Sequence, residues 1–221
     1  MKNNKTLYIS IFIATLFHVS GLIGMQTEAR NWFISMTPLT LLLMTGLIFW
    51  NEKWITKQKK LYFILCFFVG FLSEWIGTNT GYLFGDYTYG NAMGFKIGGV
   101  PVLIGILWFV TVYSVGQIVL FLYNYLNNEK PRAVFANFVL INIAAALTTL
   151  FDYTLEPAAI SLGYWEWHPD GYVPFYNYIC WYLISGFLLT PLFMNKSLQH
   201  DINYFAVFLI VLQTLFFIFV V

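Results

Sequence analysis

Seven apolar runs, at residues 7–24, 32–50, 61–78, 100–126, 133–155, 178–194 and 204–221, occupy most of this 221-residue chain. A helix needs about 20 apolar residues to cross the hydrocarbon core of a bilayer. In lipid, every backbone N–H and C=O must also be satisfied within the segment. Runs of this length predict an all-α, polytopic transmembrane helix bundle of about seven spans, a single integral membrane domain over 1–221. Composition agrees: charged residues make up 10% of the chain, against about 25% in soluble domains, and mean hydropathy is +0.70. A net charge of +1 indicates no nucleic-acid surface. Cys66 and Cys180 both lie in apolar runs, have no metal-type spacing and predict no disulfide.

Lysine and arginine set the expected orientation, because cytoplasmic loops carry their excess. The first run follows Lys2 and Lys5, is long for a secretory signal, and reads as a retained first span. With the N-terminus inside, the inner segments carry Lys2, Lys5, Lys53, Lys57, Lys59, Lys60, Lys130, Arg132 and Lys196. The outer segments carry Arg30 and Lys96. That bias predicts an N-in, C-out bundle whose two longest loops, 79–99 and 156–177, both face outward.

Against this apolar background three carboxylates stand out. Glu74 lies in the run 61–76, and Asp152 and Glu156 close the run 134–155. A carboxylate at membrane depth is costly unless paired, protonated or facing a polar cavity, so each is a candidate functional residue. If helical, Glu74, Gly77 and Gly81 fall near one face. Asp152 and Glu156 are four apart and share a face, and repulsion between them predicts that one keeps its proton near neutral pH. Pro157 biases Glu156 away from helical geometry and predicts a pair straddling a helix end. An interfacial cap bathed in water is the bland reading of the same pair.

Both outer loops are crowded with aromatics. The first holds Tyr82, Tyr87 and Tyr89, and the second Tyr164, Trp165 and Trp167, with Asn177 and Trp181 just beyond it. An interfacial belt accounts for part of this density. Aromatic faces also stabilise cations, by about 0.5–2 kcal/mol each. Asn177 is a candidate hydrogen-bond donor or water holder. His18 and Asn142 read as buried polar residues inside spans one and five. The histidines His18, His168 and His200 are scattered and propose no metal site. Gly98-Gly99-Val100-Pro101 reads as a turn into the fourth span, with proline in a first helical turn.

These motifs resemble the carotenoid biosynthesis family of membrane hydratases, of the bisanhydrobacterioruberin hydratase type. The likeness is carried by Glu74-x-x-Gly77, Gly81-Tyr-x-Phe-Gly85-x-Tyr87-x-Tyr89, Gly99-Val-Pro101 and Trp108. It continues through Asp152-x-x-x-Glu156-Pro157, Gly163-Tyr-Trp165-x-Trp167, Pro174, Asn177 and Trp181, with His18, Gly21 and Thr37-Pro38 earlier. It covers about residues 11–195, and the final run carries no motif. The resemblance implies hydration of the terminal ψ-end double bond of an acyclic or monocyclic carotenoid such as lycopene or γ-carotene, giving a tertiary alcohol without metal or redox cofactor. The expected location is a bacterial cytoplasmic membrane, the charge bias puts the site toward its outer face, and other carotenoid enzymes are candidate partners.

The residue chemistry fits that reaction. Protonating a trisubstituted alkene needs a general acid, and a neutral carboxylic acid in a low-dielectric site is suited to the task. Asp152, Glu156 and Glu74 are the catalytic candidates, with the Asp152/Glu156 pair on the acid side and Glu74 on the water side. Tyr82, Tyr87, Tyr89, Trp108, Trp165, Trp167, Asn177, Trp181 and His18 are the substrate-binding candidates. A membrane carotenoid cyclase would use the same cation. A prenyltransferase would need more acidic and basic residues to hold magnesium and a diphosphate. A transporter or pigment-binding scaffold is the non-catalytic alternative, since intramembrane carboxylates also serve proton relays.

Overall fold

A computed structural model describes residues 4–127, 134–199 and 201–220. Lys2, Lys130, Arg132 and His200, singled out above, lie outside the described residues, as do Ala133 and Val221 at the edges of expected spans. The elements are α1 (Asn4–Gly24), α2 (Arg30–Ser35), α3 (Thr37–Asn51), α4 (Lys57–Thr80), β1 (Tyr87–Tyr89), β2 (Lys96–Ile97), β3 (Val100–Pro101), α5 (Leu103–Asn127), α6 (Val134–Ser161), β4 (Trp165–Trp167), α7 (Phe175–Met194), α8 (Lys196–Gln199) and α9 (Tyr204–Phe219).

Five helices, α1, α4, α5, α6 and α7, are long and apolar enough to cross a membrane. Their outer faces present Phe12, Leu16, Phe68, Leu72 and Phe187, each at least half exposed. Two further apolar helices are shorter, α3 with 15 residues and α9 with 16. The expected run 32–50 is not one helix. It breaks at Met36, and Pro38 sits in the first turn of α3, where a missing N–H costs nothing. The short α2 folds back on α1, and Gly24 makes room for it: a Cβ there would lie 2.0 Å from the Phe33 ring.

The bundle is organised around α5, with 78% of its apolar stretch buried, against 28–44% for the other long helices. A helix apolar all round belongs inside, and α5 packs on α3, α4, α6, α7 and α9. Glycines let its neighbours approach. A Cβ on Gly116 would lie 2.3 Å from Leu192, and one on Gly105 2.7 Å from the Phe67 carbonyl, the small-residue packing that membrane helices favour. Cys66 and Cys180 are both free and buried.

At one end of the bundle a polar cluster ties four helices together. Glu52, just after α3, accepts hydrogen bonds from Lys59 of α4, Tyr113 of α5 and Asn203 at the start of α9. Asn203 also donates to the Ile48 carbonyl at 3.0 Å. Lys59, expected among the loop charges, is therefore buried in an ion pair. Asn51 donates to Ser10 at 2.7 Å and pins α3 to α1.

The opposite end carries the long loops, and there the chain is not wholly helical. β1 pairs antiparallel with β4, matching Tyr87 to Trp167 and Tyr89 to Trp165. β2 and β3 form a hairpin through Gly98 and Gly99, whose φ values are 55° and 85°, the positive range a tight hairpin turn demands. Pro101 thus ends a strand instead of starting a helix, and α5 begins at Leu103. Nor does Pro157 end a helix: α6 runs through it to Ser161, so Asp152 and Glu156 are both helical and do not straddle a helix end.

A carboxylate chamber beneath an aromatic roof

Alternation along β1 and β4 builds the roof. In a strand, side chains point to opposite faces in turn. Tyr87, Tyr89, Trp165 and Trp167 are accordingly buried, whereas Thr88 and Glu166 are exposed. The four buried rings cover the ends of α4 and α6. Tyr87 lies 4.8 Å from Trp167 between ring centres, and Tyr89 meets Trp165 edge-on at 6.0 Å.

Each ring also holds a carboxylate. Glu74 is buried on α4. Its Oε2 accepts from Tyr87 and, at 2.8 Å, from Tyr89, while Oε1 accepts from Trp108 Nε1 at 3.0 Å. Burial first, then the neighbouring Glu74, holds both phenols well above the usual tyrosine range, so they remain O–H donors. Glu156 Oε2 accepts from Trp165 Nε1 at 2.8 Å and from Trp167 Nε1 at 3.0 Å. Asp152 Oδ2 accepts from Asn177 Nδ2 at 2.9 Å, and the same amide stands 3.5 Å from Glu156 Oε1. All the donors are uncharged, and among the described residues neither ion pair involves these three acids.

The floor is set by packing. Trp108 stacks on Trp181 with ring centres 3.9 Å apart. Gly70, one turn before Glu74, seats the Trp108 ring, since a Cβ there would lie 2.3 Å from its Cγ. Phe84 adopts φ 65°, unusual for a residue with a Cβ, and its buried ring packs between Tyr87, Trp108 and Trp181.

The three carboxylates, Asn177, Tyr87, Tyr89 and the tryptophans 108, 165, 167 and 181 line one chamber of about 20 Å³. That volume holds about one water molecule. Ile104 and Leu107 complete the lining; as ordinary apolar residues of α5 they carry no sequence signal. Two candidates lie elsewhere. Tyr82 is 78% exposed and uses its carbonyl to accept from Tyr176. Gly81, expected beside Glu74, is the exposed cap of α4, with φ 68°. Asn142 is only half-buried and accepts from Tyr182 of α7, away from the acids.

His18 faces a second cavity. It is apolar, about 580 Å³ in volume, and bounded by α1, α2, α3 and α9. Its rim includes Leu16, Trp32 and Leu39, all more than half exposed. Leu107 and Trp165 line both cavities, so a single layer of side chains separates them. Tyr164, next to Trp165, anchors that wall through a 2.8 Å hydrogen bond with Thr37 of α3.

The model of a family described as carotenoid biosynthesis protein matches residues 9–221 and so includes the final helix, where the motifs are silent. Bisanhydrobacterioruberin hydratase of Haloarcula japonica is 34% identical over 125 residues, a stretch that is 54% of this chain and 39% of that protein. The chain thus spans well under half the length of the curated relative it matches. No solved structure matches it. By the extent of the family match, the chain belongs to the carotenoid biosynthesis protein family.

Proposed function

We propose that this protein is a carotenoid hydratase, adding water across the terminal ψ-end double bond of an acyclic or monocyclic carotenoid to give a tertiary alcohol at C-1. The observation that carries the reading is the convergence of Glu74, Asp152 and Glu156 on one water-sized, aromatic-walled chamber beside an apolar cavity. Family membership and the name of the Haloarcula relative support it.

In this reading the isoprenoid end enters from the apolar cavity by displacing Leu107 or the Trp165 indole. The Asp152/Glu156 pair holds one proton and delivers it to C-2. The electron pair of the double bond forms the new C–H bond and leaves a tertiary cation at C-1. Indole faces stabilise that cation. Water adds to C-1 and yields a proton to Glu74, whose three donors best support a negative charge. Passage of that proton back across the chamber restores the acid, so the net change is one water gained. All seven apolar helices cross the membrane in this reading, with the N-terminus inside and the chamber toward the outer face.

The test is pigment analysis in a lycopene-producing host. The chain yields a product heavier by one water. Asp152→Asn or Glu156→Gln lowers conversion by about 10²–10⁴-fold, the usual weight of a general acid. Unchanged mass with a shortened chromophore means cyclisation and overturns the hydration reading. Pigment unchanged with active expression overturns catalysis altogether.

A further inference from the structure

Among the polar side chains lining the apolar cavity, Gln213 and His18 are not used by the reaction and present acceptors to the cavity. Gln213 of α9 is 8% exposed, lines the cavity, and its Oε1 has no hydrogen-bond partner among the described residues. A buried acceptor left unsatisfied is costly and calls for an explanation. His18 of α1 lines the same cavity. Its Nδ1 stands 2.8 Å from the Ala14 carbonyl. A carbonyl only accepts, so Nδ1 carries the hydrogen, and a neutral ring then keeps Nε2 as an acceptor. The ring is held edge-on to Phe216 at 5.5 Å.

These groups lie level with the acids. His18 is six residues from the end of α1, Gln213 six from the end of α9, and Glu156 five from the end of α6, all counted toward the loop-bearing end. The cavity therefore has the carboxylate chamber behind one wall and two acceptors on another. A wholly hydrocarbon chain leaves both acceptors unmatched. A ketone or ether supplies no hydrogen. An alcohol O–H supplies one hydrogen, to Gln213 Oε1 or His18 Nε2, and its oxygen accepts from the Gln213 amide N–H when the hydrogen turns to His18.

We infer that Gln213 and His18 form a hydrogen-bonding subsite for an alcohol group carried on the isoprenoid chain in this cavity. The inference rests on the hydration reading and deepens it. The alcohol has two possible sources: the one newly formed at C-1, drawn back past Leu107 and Trp165 before release, or one that the substrate already bears.

The experiment uses purified full-length protein in detergent, in an Asp152→Asn background that prevents conversion. It is loaded with lycopene or with 1-hydroxylycopene, which carries one alcohol and one ψ-end. Retained pigment per protein after gel filtration is the readout. The parent retains the alcohol over the hydrocarbon by about ten-fold, the worth of one good hydrogen bond. Gln213→Met and His18→Phe each bring the ratio toward one. Pigment-free Gln213→Met melts no lower than its parent, since it removes a buried unsatisfied acceptor and breaks no hydrogen bond among the described residues. Equal retention by the parent, a ratio kept in both variants, or a clear loss of melting temperature in Gln213→Met overturns the subsite. Should one variant not fold, the other carries the test.

Protein with Asp152 intact separates the sources. 1-Hydroxylycopene that co-purifies after supply of lycopene, and is lost with Gln213→Met, identifies the newly formed alcohol. A second hydration of 1-hydroxylycopene that slows about ten-fold in Gln213→Met identifies one already present. Absence of hydration in the intact protein overturns the reaction reading and leaves the retention ratio readable on its own.

Discussion

Asn177 serves two acids with one amide, 2.9 Å from Asp152 and 3.5 Å from Glu156. Replacing it with leucine strips Asp152 of its donor and leaves a buried polar oxygen unsatisfied, at about 1–3 kcal/mol. Asn177→Leu is expected to lower the melting temperature in detergent and to cut hydration at least ten-fold, whereas Asn177→Gln retains part of both. Equal activity in the leucine variant would show that the amide does not position the pair. The acids were legible in the sequence because a charge in an apolar run is conspicuous. Asn177 was legible as an uncharged polar residue at the entrance to an apolar run. Leu107 was not: one leucine among many on α5 looks the same whether it faces lipid, core or the wall between two cavities.

Among the elements, α4 and α5 show how packing sets chemistry. Gly70 lets the Trp108 ring lie against α4, and Trp108 then donates to Glu74 one turn later. A Cβ at Gly70 meets the Trp108 Cβ and Cγ at 2.5 and 2.3 Å, atoms too close to the backbone to swing aside. Gly70→Ala is expected to cost about 1–3 kcal/mol by overpacking and to lower pigment conversion with it, read by thermal melting and product analysis. Full activity would mean that the tryptophan–glutamate bond is dispensable. The roof strands carried a readable signal, Tyr-Thr-Tyr and Trp-Glu-Trp, in which large rings alternate with polar residues as half-buried strands do. Three residues are too short to separate a strand from an interfacial belt, and their pairing, Tyr89 with Trp165 at the near ends and Tyr87 with Trp167 at the far ends, is invisible to any local window.

At the scale of the whole molecule, lysine and arginine bias predicts that reporters fused after Asn128 and after Tyr172 fall on opposite sides of the membrane. Finding both on one side would overturn the seven-span orientation. The bundle is polar at both ends for different reasons. At one end Lys59 and Glu52 form an ion pair, supported by Tyr113 and Asn203, that joins four helices. At the other end three acids face one another with only uncharged donors. Glu52 and Glu74 are 22 residues apart in sequence and both buried, yet among the described residues only Glu52 of the two has a cation beside it.

By itself the sequence determined the environment and the chemical inventory. Long apolar runs require helices in lipid, and carboxylates within them require a polar enclosure, because neither unsatisfied backbone nor lone charge is tolerated there. The same reasoning extended too far where it used local rules alone. Pro157 did not end α6, Met36 did break the second run, and Tyr82 pointed outward. Only the tertiary structure decided that α4, α6, α7 and two short strands meet over one water-sized chamber, and that α1 and α9 enclose an apolar cavity one side chain away. Such volumes belong to the gaps between helices, and a gap is set by which residues of distant segments face each other, which periodicity along one segment does not encode.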